Sequence, residues 1–529
     1  MTSAAISSDQ THRDRSTFFI LLSLYFVVLF PILRANRYYN DDLKRALVGH
    51  QSWDATGRPL TTLLMRVLQY YDRAMVDISP LTQFGAIAIL AWIGVLVARR
   101  YAINSPGMAA LAAFPLGAQP FFMENLSYKF DALSMSLAML LALVPILATS
   151  DDRRGWWLGV LSLFASLNLY QAAVNAYLVF IVLDIVLAQL KNRPPREVLQ
   201  RLFSRILQAG MTMLIYQLIV GVHINGWVKQ NSEKIHTLQE LPLIAKNFID
   251  TYAYIGASLN PQWWLYFGPV LIFLALIPVL VGIQYAHKQR AVGRVGEAAT
   301  LLVASFLMPL VALVCVLGPM LILVKPLIQP RVLMGVGALL AVGLIVSCVA
   351  LKAWGRSERW SLGLASMLAL GMCTFASAYG NALGEQKNYE ERIASRLADD
   401  LAEVRAMHSI HAFLLDGTAG YSPVAAHVIG QLPLVGVLVP TYISADDMFH
   451  THMFLRYFMR DDISDMRLRT DADAMHARSM ILSKAGEAPV TIAREAYELR
   501  LIDGVALVTF RSAGAEPVSG NDPAAVRAD

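Results

Sequence analysis

The feature that most constrains this chain is a series of long apolar blocks separated by short polar loops. A hydrocarbon core of ~30 Å takes roughly 20 helical residues to cross, and lipid offers backbone N–H and C=O groups no partner outside a helix or a closed barrel. The blocks lack the alternation of membrane β-strands. We therefore predict an all-α polytopic membrane protein with about eleven transmembrane helices, at residues 18–33, 81–98, 108–122, 132–148, 156–169, 172–190, 206–222, 263–285, 298–320, 332–351 and 360–379.

Composition and charge agree with this prediction. Of 529 residues, 56% are hydrophobic and 16% are charged, which excludes an ordinary soluble domain. The net charge of +5 does not indicate nucleic-acid binding, because the cations cluster between apolar blocks, as in cytoplasmic loops. We expect a multi-pass protein of the bacterial inner (plasma) membrane that contacts membrane lipids and no nucleic acid. With a cytoplasmic N-terminus (1–17), five basic clusters fall on the cytoplasmic side: 99–100, 153–154, 191–205, 287–294 and 352–359.

The first periplasmic loop, residues 34–80, breaks that charge rule. Cations normally avoid this side, so we expect them to hold an anionic ligand. The loop carries seven of them: Arg34, Arg37, Lys44, Arg45, Arg58, Arg66 and Arg73.

The same loop holds two adjacent carboxylates directly after a membrane span, in Asn40-Asp41-Asp42. Asn40 or Asp41 could simply cap a short helix that starts near Asp42. A cap needs one such residue, however, and three in a row favour a catalytic or ligand role for at least one Asp. Further along, Pro59 is predicted at the first position of a second helix, whose apolar stripe is typical of a helix in the membrane interface.

Two further polar segments, residues 124–131 and 168–171, are predicted to open on the same face as the first loop. Each could be a solvated turn, and Arg331 could be an ordinary interfacial anchor, but their convergence favours a binding role. Arg331 at a span boundary could also reach a phosphate. The candidates are Glu124, Asn125, Tyr128, Lys129, Asp131, Tyr170, Gln171 and Arg331.

From residue 386 to 512 the composition becomes that of a small periplasmic α/β domain of normal size. An amphipathic helix should bury Ile393, Leu397, Leu401, Val404 and Met407. Strands are predicted at 412–415 and 434–439, with a helical stretch between them. Residues 497–502 and 505–510 should form a hairpin around Asp503-Gly504. The chain thus divides into 1–17, a transmembrane domain at 18–385, the domain at 386–512, and a disordered tail at 513–529.

These segments resemble the glucosyl transferase II family of O-antigen-modifying, serotype-converting enzymes. The resemblance spans about residues 18–460. It implies a GT-C-type membrane glycosyltransferase that takes a sugar from an undecaprenyl-phosphate (polyprenyl-phosphate) donor and places it on a periplasmic glycan, usually lipid-linked O-antigen. The matching segments are Asn40-Asp41-Asp42, Gly57-Arg58-Pro59-Leu60, residues 125–131, Leu169-Tyr170-Gln171 and Tyr379-Gly380-Asn381-Ala382.

The implied chemistry needs few groups. A sugar hydroxyl requires a base, for which Asp42 or Asp41 is suited. A lipid phosphate, with a second pKa of roughly 6, leaves without a general acid but needs cations such as Arg58, Lys129 or Arg331. The reaction would invert the anomeric centre with no cofactor, although the sequence leaves open a divalent ion between Asp42 and Asp131.

Two alternatives remain from the sequence alone. A polyprenyl-linked sugar flippase or transporter should carry charged residues at mid-span depth on facing helices, whereas the charges here lie near span ends. A GT-C transferase for another sugar or acceptor would share the same residues, so the residues do not distinguish the sugar.

Overall fold

The structure is a computed structural model that describes residues 2–70, 73–150, 152–224, 226–230, 232–357, 359–459, 463–468 and 471–511. The chain divides into two compact units. The first contains the residues up to Gly384 together with His427–Leu438. The second contains Glu385–Ala426 and the residues from Val439 onward.

Helices build the first unit. They are α1 (Thr2–Ala35), α2 (Asp42–Val48), α3 (Pro59–Gln69), α4 (Leu81–Tyr101), α5 (Pro106–Ala113), α6 (Pro115–Ala118), α7 (Met123–Ser127), α8 (Ala132–Leu147), α9 (Arg153–Leu169), α10 (Val174–Leu190), α11 (Pro195–Ile219), α12 (Gly226–Gln230), α13 (Pro242–Ser258), α14 (Trp263–Ala291), α15 (Val295–Leu317) and α16 (Met334–Ala353), followed by α17 (Arg359–Met407), which continues into the second unit.

All eleven predicted spans lie on helices, and the predicted polytopic all-α membrane architecture is confirmed. Three predicted spans correspond to shorter helices: 108–122 is divided by prolines into α5, α6 and a 3-10 turn, 132–148 is α8, and 156–169 is α9. Within the described chain, eight helices are long and apolar enough to cross a membrane: Asp9–Ala35, Leu81–Tyr101, Gln171–Leu190, Pro195–His223, Trp263–Ala291, Val295–Ile322, Met334–Ala353 and Arg359–Met407.

Helix α10 is the most enclosed of these spans and packs against α8, α14, α15 and α16. Helices α11 and α15 expose most of their apolar side chains, as expected where a helix faces lipid. At the ends of the spans, the short helices α2, α3 and α7 hold the polar loop segments. They position the candidate site.

The second unit contains a five-stranded sheet with the strand order β2-β1-β5-β4-β3. β1 pairs in parallel with β2 and β5, whereas β3–β4 and β4–β5 are antiparallel. The predicted hairpin is confirmed: Asp503 and Gly504 have φ values of 50° and 76°, as a type I′ turn requires. The strands are β1 (Ala412–Asp416), β2 (Ser464–Asp465), β3 (Val490–Ala493), β4 (Tyr497–Ile502) and β5 (Val505–Phe510). Helices α20 (Met448–Leu455) and α21 (Ala472–Ser483) also belong to this unit, whereas α18 (Pro423–Gln431) begins in it and ends in the first unit, which also contains α19 (Pro433–Leu438).

Two local predictions for this region were wrong. The predicted strand at 434–439 is helix α19, which begins at Pro433; a short apolar run cannot be assigned to strand or helix by periodicity alone. Met407 is 61% exposed at the end of α17, although Ile393, Leu397, Leu401 and Val404 are buried as predicted. The predicted disordered tail lies outside the described residues.

Candidate active site

The carboxylate pair of the first loop sits at the start of α2. Asn40 has φ 46°, which turns the chain after α1, and α2 ends at Gly49 with φ 64°. A Cβ at Gly49 would lie 2.6 Å from the Ala74 side chain, so this close approach requires glycine. Asp41 occupies the N-cap position but makes no side-chain capping hydrogen bond. Capping therefore does not explain this carboxylate.

Asp42 is fully buried. Its Oδ2 accepts a hydrogen bond from the backbone N–H of Lys129 across 2.7 Å, which ties α2 to the connection between α7 and α8. Burial raises the pKa of Asp42 to about 8, although the charge of Arg45 opposes the shift. Asp41 differs sharply, because its side chain is 57% exposed and its Oδ2 lies 3.8 Å from Arg45 Nη1. The two neighbouring carboxylates thus have opposite environments.

Asp131 is the centre of a buried ionic cluster. Its Oδ1 accepts hydrogen bonds from Trp53 Nε1 (2.7 Å) and Arg58 Nη1 (3.0 Å), and its Oδ2 lies 3.1 Å from Arg45 Nη1. The Arg45 guanidinium also lies over the Trp53 ring, 4.5 Å from its centroid. The sequence placed Arg58 near a phosphate; in the structure its guanidinium binds Asp131 and stacks 5.9 Å from the Tyr170 ring.

A second cluster surrounds Arg331, in a 3-10 turn before α16. Glu124 accepts from Arg331 Nη1 (2.9 Å) and from its backbone N–H (2.7 Å), and Arg331 Nη1 also donates to the Tyr128 hydroxyl. Asn125 Nδ2 and the Tyr170 hydroxyl both donate to the Arg331 carbonyl, each across 3.2 Å. Five of the predicted residues are therefore brought together here.

The electrostatics of Arg331 connect it with the first loop. Burial alone would lower the pKa of this guanidinium. Tyr128, Glu124, Tyr170 and Asp41 instead hold it well above its ordinary value. Asp41 and Arg331 therefore lie within electrostatic range of one another.

The side chains of Lys129 and Gln171 contact residues outside these two clusters. Lys129 Nζ donates to Asn36 Oδ1 (2.7 Å) and pairs with Asp77 (3.4 Å), and it lies 4.2 Å from the Tyr38 ring centroid. These partners fix it beside the end of α1.

Gln171 Nε2 donates to the carbonyls of Thr56 (3.1 Å) and Gly57 (3.2 Å), which holds the turn that carries Arg58. Gly57 has φ 75°, and a Cβ there would meet the Tyr216 hydroxyl at 2.4 Å. Gly57 and Gln171 belong to two of the segments that resemble the family, and these two segments are therefore in direct contact.

Sequence reasoning missed Arg45 as a member of the cluster. Arg45 was counted only as one of the loop cations. Its spacing from Asp41 (i, i+4) and from Asp42 (i, i+3) places these three residues on one helix face. It also missed that Ser127 Oγ hydrogen-bonds the Tyr379 hydroxyl (2.7 Å), which joins two of the resembling segments.

The structure does not favour the divalent ion considered between Asp42 and Asp131. Arg45 Nη1 lies 3.1 Å from Asp131 Oδ2 and 3.9 Å from Asp42 Oδ1, so a guanidinium occupies the space between them. Among the described residues, no group of three or more His, Cys, Asp or Glu side chains could hold a metal ion. The residues present therefore fit a bound cationic side chain better than a metal.

Comparisons with known proteins find a matching family and a relative. Residues 15–342 match a family described as "Glucosyl transferase GtrII". The chain is also 25% identical over 442 residues to a protein of Salmonella phage P22 described as "Uncharacterized 55.3 kDa protein in gtrB 5'region", an alignment that covers 82% of this chain and 89% of that protein. No solved structure matches.

Proposed function

The chain belongs to the glucosyl transferase GtrII family, and from that premise we propose that it moves glucose from a polyprenyl-phosphate carrier to a periplasmic glycan such as lipid-linked O-antigen. The chain is a multi-pass membrane glycosyltransferase of that family. The proposal adds the donor, the acceptor, the inverting mechanism and the general base. It also adds the bacterial inner membrane, with a cytoplasmic N-terminus and a periplasmic α/β domain at residues 386–512.

Asp41 is the general base in this proposal. A base must come within hydrogen-bond reach of the hydroxyl whose proton it takes, and the Asp41 side chain is 57% exposed whereas Asp42 is fully buried. Asp42, with its pKa raised to about 8 by burial, also holds its proton at neutral pH. Asp42 then acts as a positioning residue, which anchors α2 through the backbone of Lys129.

Arg331 is the principal cation for the donor phosphate. Its side chain is 21% exposed, compared with 14% for Arg58 and 8% for Lys129. Arg58 and Lys129 support the site by balancing Asp131 and Asp77. A guanidinium provides charge-assisted and bidentate contacts that suit a phosphate well.

The reaction follows from these roles. The acceptor hydroxyl gives its proton to Asp41, and its oxygen forms a bond with the anomeric carbon. The bond from that carbon to the phosphate oxygen breaks on the opposite side, and the electron pair stays on the phosphate, whose growing charge Arg331 stabilises. Attack and departure on opposite sides invert the anomeric centre.

The observation that carries the proposal is that the segment with the exposed Asp41 carboxylate and the cation at a span boundary, Arg331, meet at Tyr128. The Tyr128 hydroxyl accepts from Arg331 Nη1, and from Nδ2 of Asn40, which precedes Asp41, across 3.5 Å. Mass spectrometry of the envelope glycan, from host cells with and without the gene, tests it. We expect the glycan to lose one hexose without the gene and to regain it on complementation. An unchanged glycan would contradict the proposed acceptor.

A further inference from the structure

We propose that Arg45 is a positioning residue that holds Asp41, Asp42 and Asp131 together as a fixed internal cation. This inference rests on the proposed function for its catalytic consequence. Its geometric basis is independent of the donor and of the acceptor.

The contacts of Arg45 are its first support. One atom, Arg45 Nη1, lies 3.1 Å from Asp131 Oδ2, 3.8 Å from Asp41 Oδ2 and 3.9 Å from Asp42 Oδ1. The side chain is only 3% exposed. An interior cation is stable only when charges and hydrogen bonds compensate its lost hydration. Asp131 and Asp41 supply the compensating charge, and removal of the cation would leave the buried Asp131 carboxylate without that compensation.

Trp53 gives the cluster its rigidity. The indole is fully buried, its ring lies under the Arg45 guanidinium, and its Nε1 donates to Asp131 Oδ1 across 2.7 Å. One aromatic side chain therefore fixes both the cation and the carboxylate that it meets. Because α2 spans only Asp42–Val48, it could not hold this geometry by itself.

A metal could not share this position with Arg45. Divalent ions bind carboxylate oxygens at about 2.0–2.6 Å, and a guanidinium nitrogen 3.1 Å from Asp131 already fills that space. A divalent ion would repel it as well. Arg45 thus supplies the positive charge permanently, with no dependence on metal supply.

The charge of Arg45 should be visible in the pH dependence of transfer. The groups that interact electrostatically with Asp41 include Arg45 and Asp42 on α2, His50 after it, Tyr128 between α7 and α8, and Arg331 before α16. Arg45 Nη1 lies 3.8 Å from Asp41 Oδ2. An opposite charge at such a distance typically lowers the pKa of a carboxyl group by about one unit or more.

The test uses the full-length protein in lipid, with transfer measured between pH 4 and 9. For Arg45→Met we expect the acid limb of the profile to move to higher pH by about one unit, so that activity falls further below the wild-type value at pH 4 than at pH 7. Arg45→Lys keeps the charge and should keep the limb close to that of the wild type. Lys246→Met is the matched control, because it removes a cation from an exposed i, i+4 pair with Asp250 on α13. An Arg45→Met profile that equals the wild-type profile would overturn the inference.

A second measurement separates this inference from the proposed function. If the wild-type protein transfers nothing from a polyprenyl-linked donor, the proposed function fails, and the inference is judged on unfolding temperature between pH 5 and 8. Loss of the cation leaves buried carboxylates uncompensated, so Arg45→Met should lose more stability relative to the wild type at pH 8 than at pH 5, whereas Lys246→Met should follow the wild type. A difference between Arg45→Met and the wild type that is the same at both pH values would show that Arg45 does not compensate these carboxylates. If Arg45→Met does not fold, Arg45→Gln replaces it in both measurements.

Discussion

The Asp42 carboxylate accepts a hydrogen bond from the backbone N–H of Lys129, 87 residues away in the chain, across 2.7 Å. This bond fixes the start of α2 against the connection between α7 and α8. The neighbouring Asp41 side chain is 57% exposed, and its Oδ2 lies 3.8 Å from Arg45 Nη1. One carboxylate of the pair anchors the loop, and the other is largely exposed and is the proposed general base.

This division of roles predicts different effects of two conservative substitutions. Asp41→Asn should lower transfer about 10²–10⁴-fold, the range for loss of a general base, without a change in unfolding temperature. Asp42→Asn should keep most activity at neutral pH, because an amide oxygen can still accept from the Lys129 N–H. Transfer rates of the two purified variants check this, with Asp54→Asn as the control in the same loop. Loss of transfer in Asp42→Asn alone would reverse the assignment.

The burial of Asp42 predicts a pH-dependent stability. Its pKa is about 8 in the folded protein and 3.8 for the ordinary group. Because the folded-state value is raised, the contribution to stability is fully present below about pH 4 and is lost as the pH rises through about 8. Asp42→Asn removes this dependence. The unfolding temperature of the wild type should therefore fall, relative to that of Asp42→Asn, between pH 5 and pH 8. A constant difference across that range would mean that Asp42 is ionised throughout.

The Arg331 cluster predicts a donor-specific defect. Arg331→Lys keeps the charge but loses the planar geometry that contacts Glu124 and Tyr128, so we expect the KM for the donor to rise about tenfold to a hundredfold. Arg331→Gln should be worse. Kinetics at several donor concentrations measure the effect.

Two comparisons make this test specific. Arg58→Gln should mainly lower stability, because it removes one partner of a buried ion pair with Asp131, a loss that costs about 3–5 kcal/mol. Arg66→Lys is the control, because this arginine binds Gln51 on the exposed side of α3. Wild-type donor kinetics in Arg331→Gln would show that another cation holds the phosphate.

The proposed orientation predicts where each loop lies. Reporter fusions after Arg154, Arg196 and Arg356 should read as cytoplasmic, because basic loops stay on that side. Fusions after Thr237 and Gly420 should read as periplasmic. Paired reporters that are active on opposite sides of the membrane give the measurement. A cytoplasmic readout after Gly420 would put the α/β domain on the wrong side for a periplasmic acceptor.

The helices were predictable because lipid forces apolar blocks to satisfy their backbone groups locally. The Asp503-Gly504 turn was predictable for a similar reason, since its backbone angles suit few residues. The helix in the 434–439 segment was not predictable, because six apolar residues that follow a proline fit a strand and a helix equally well.

The site residues were predicted by type but not by partner. Glu124 and Arg331 are 207 residues apart, and no periodicity in the sequence connects them. Arg45 was recognised only as one of seven loop cations, since its importance depends on Trp53 and on Asp131, which the fold brings from outside α2. The division of roles between Asp41 and Asp42 depends on burial, which two adjacent identical residues cannot reveal.

The most direct test of the account is transfer by the purified protein. Wild-type protein in lipid is supplied with a polyprenyl-phosphate-glucose donor and a lipid-linked glycan acceptor, and the product is identified by mass spectrometry and by the configuration of its anomeric centre. The account predicts one glucose on the acceptor, with a configuration opposite to that of the donor and free polyprenyl phosphate released in equal amount. Retention of the donor configuration, or no transfer from this donor, would contradict it.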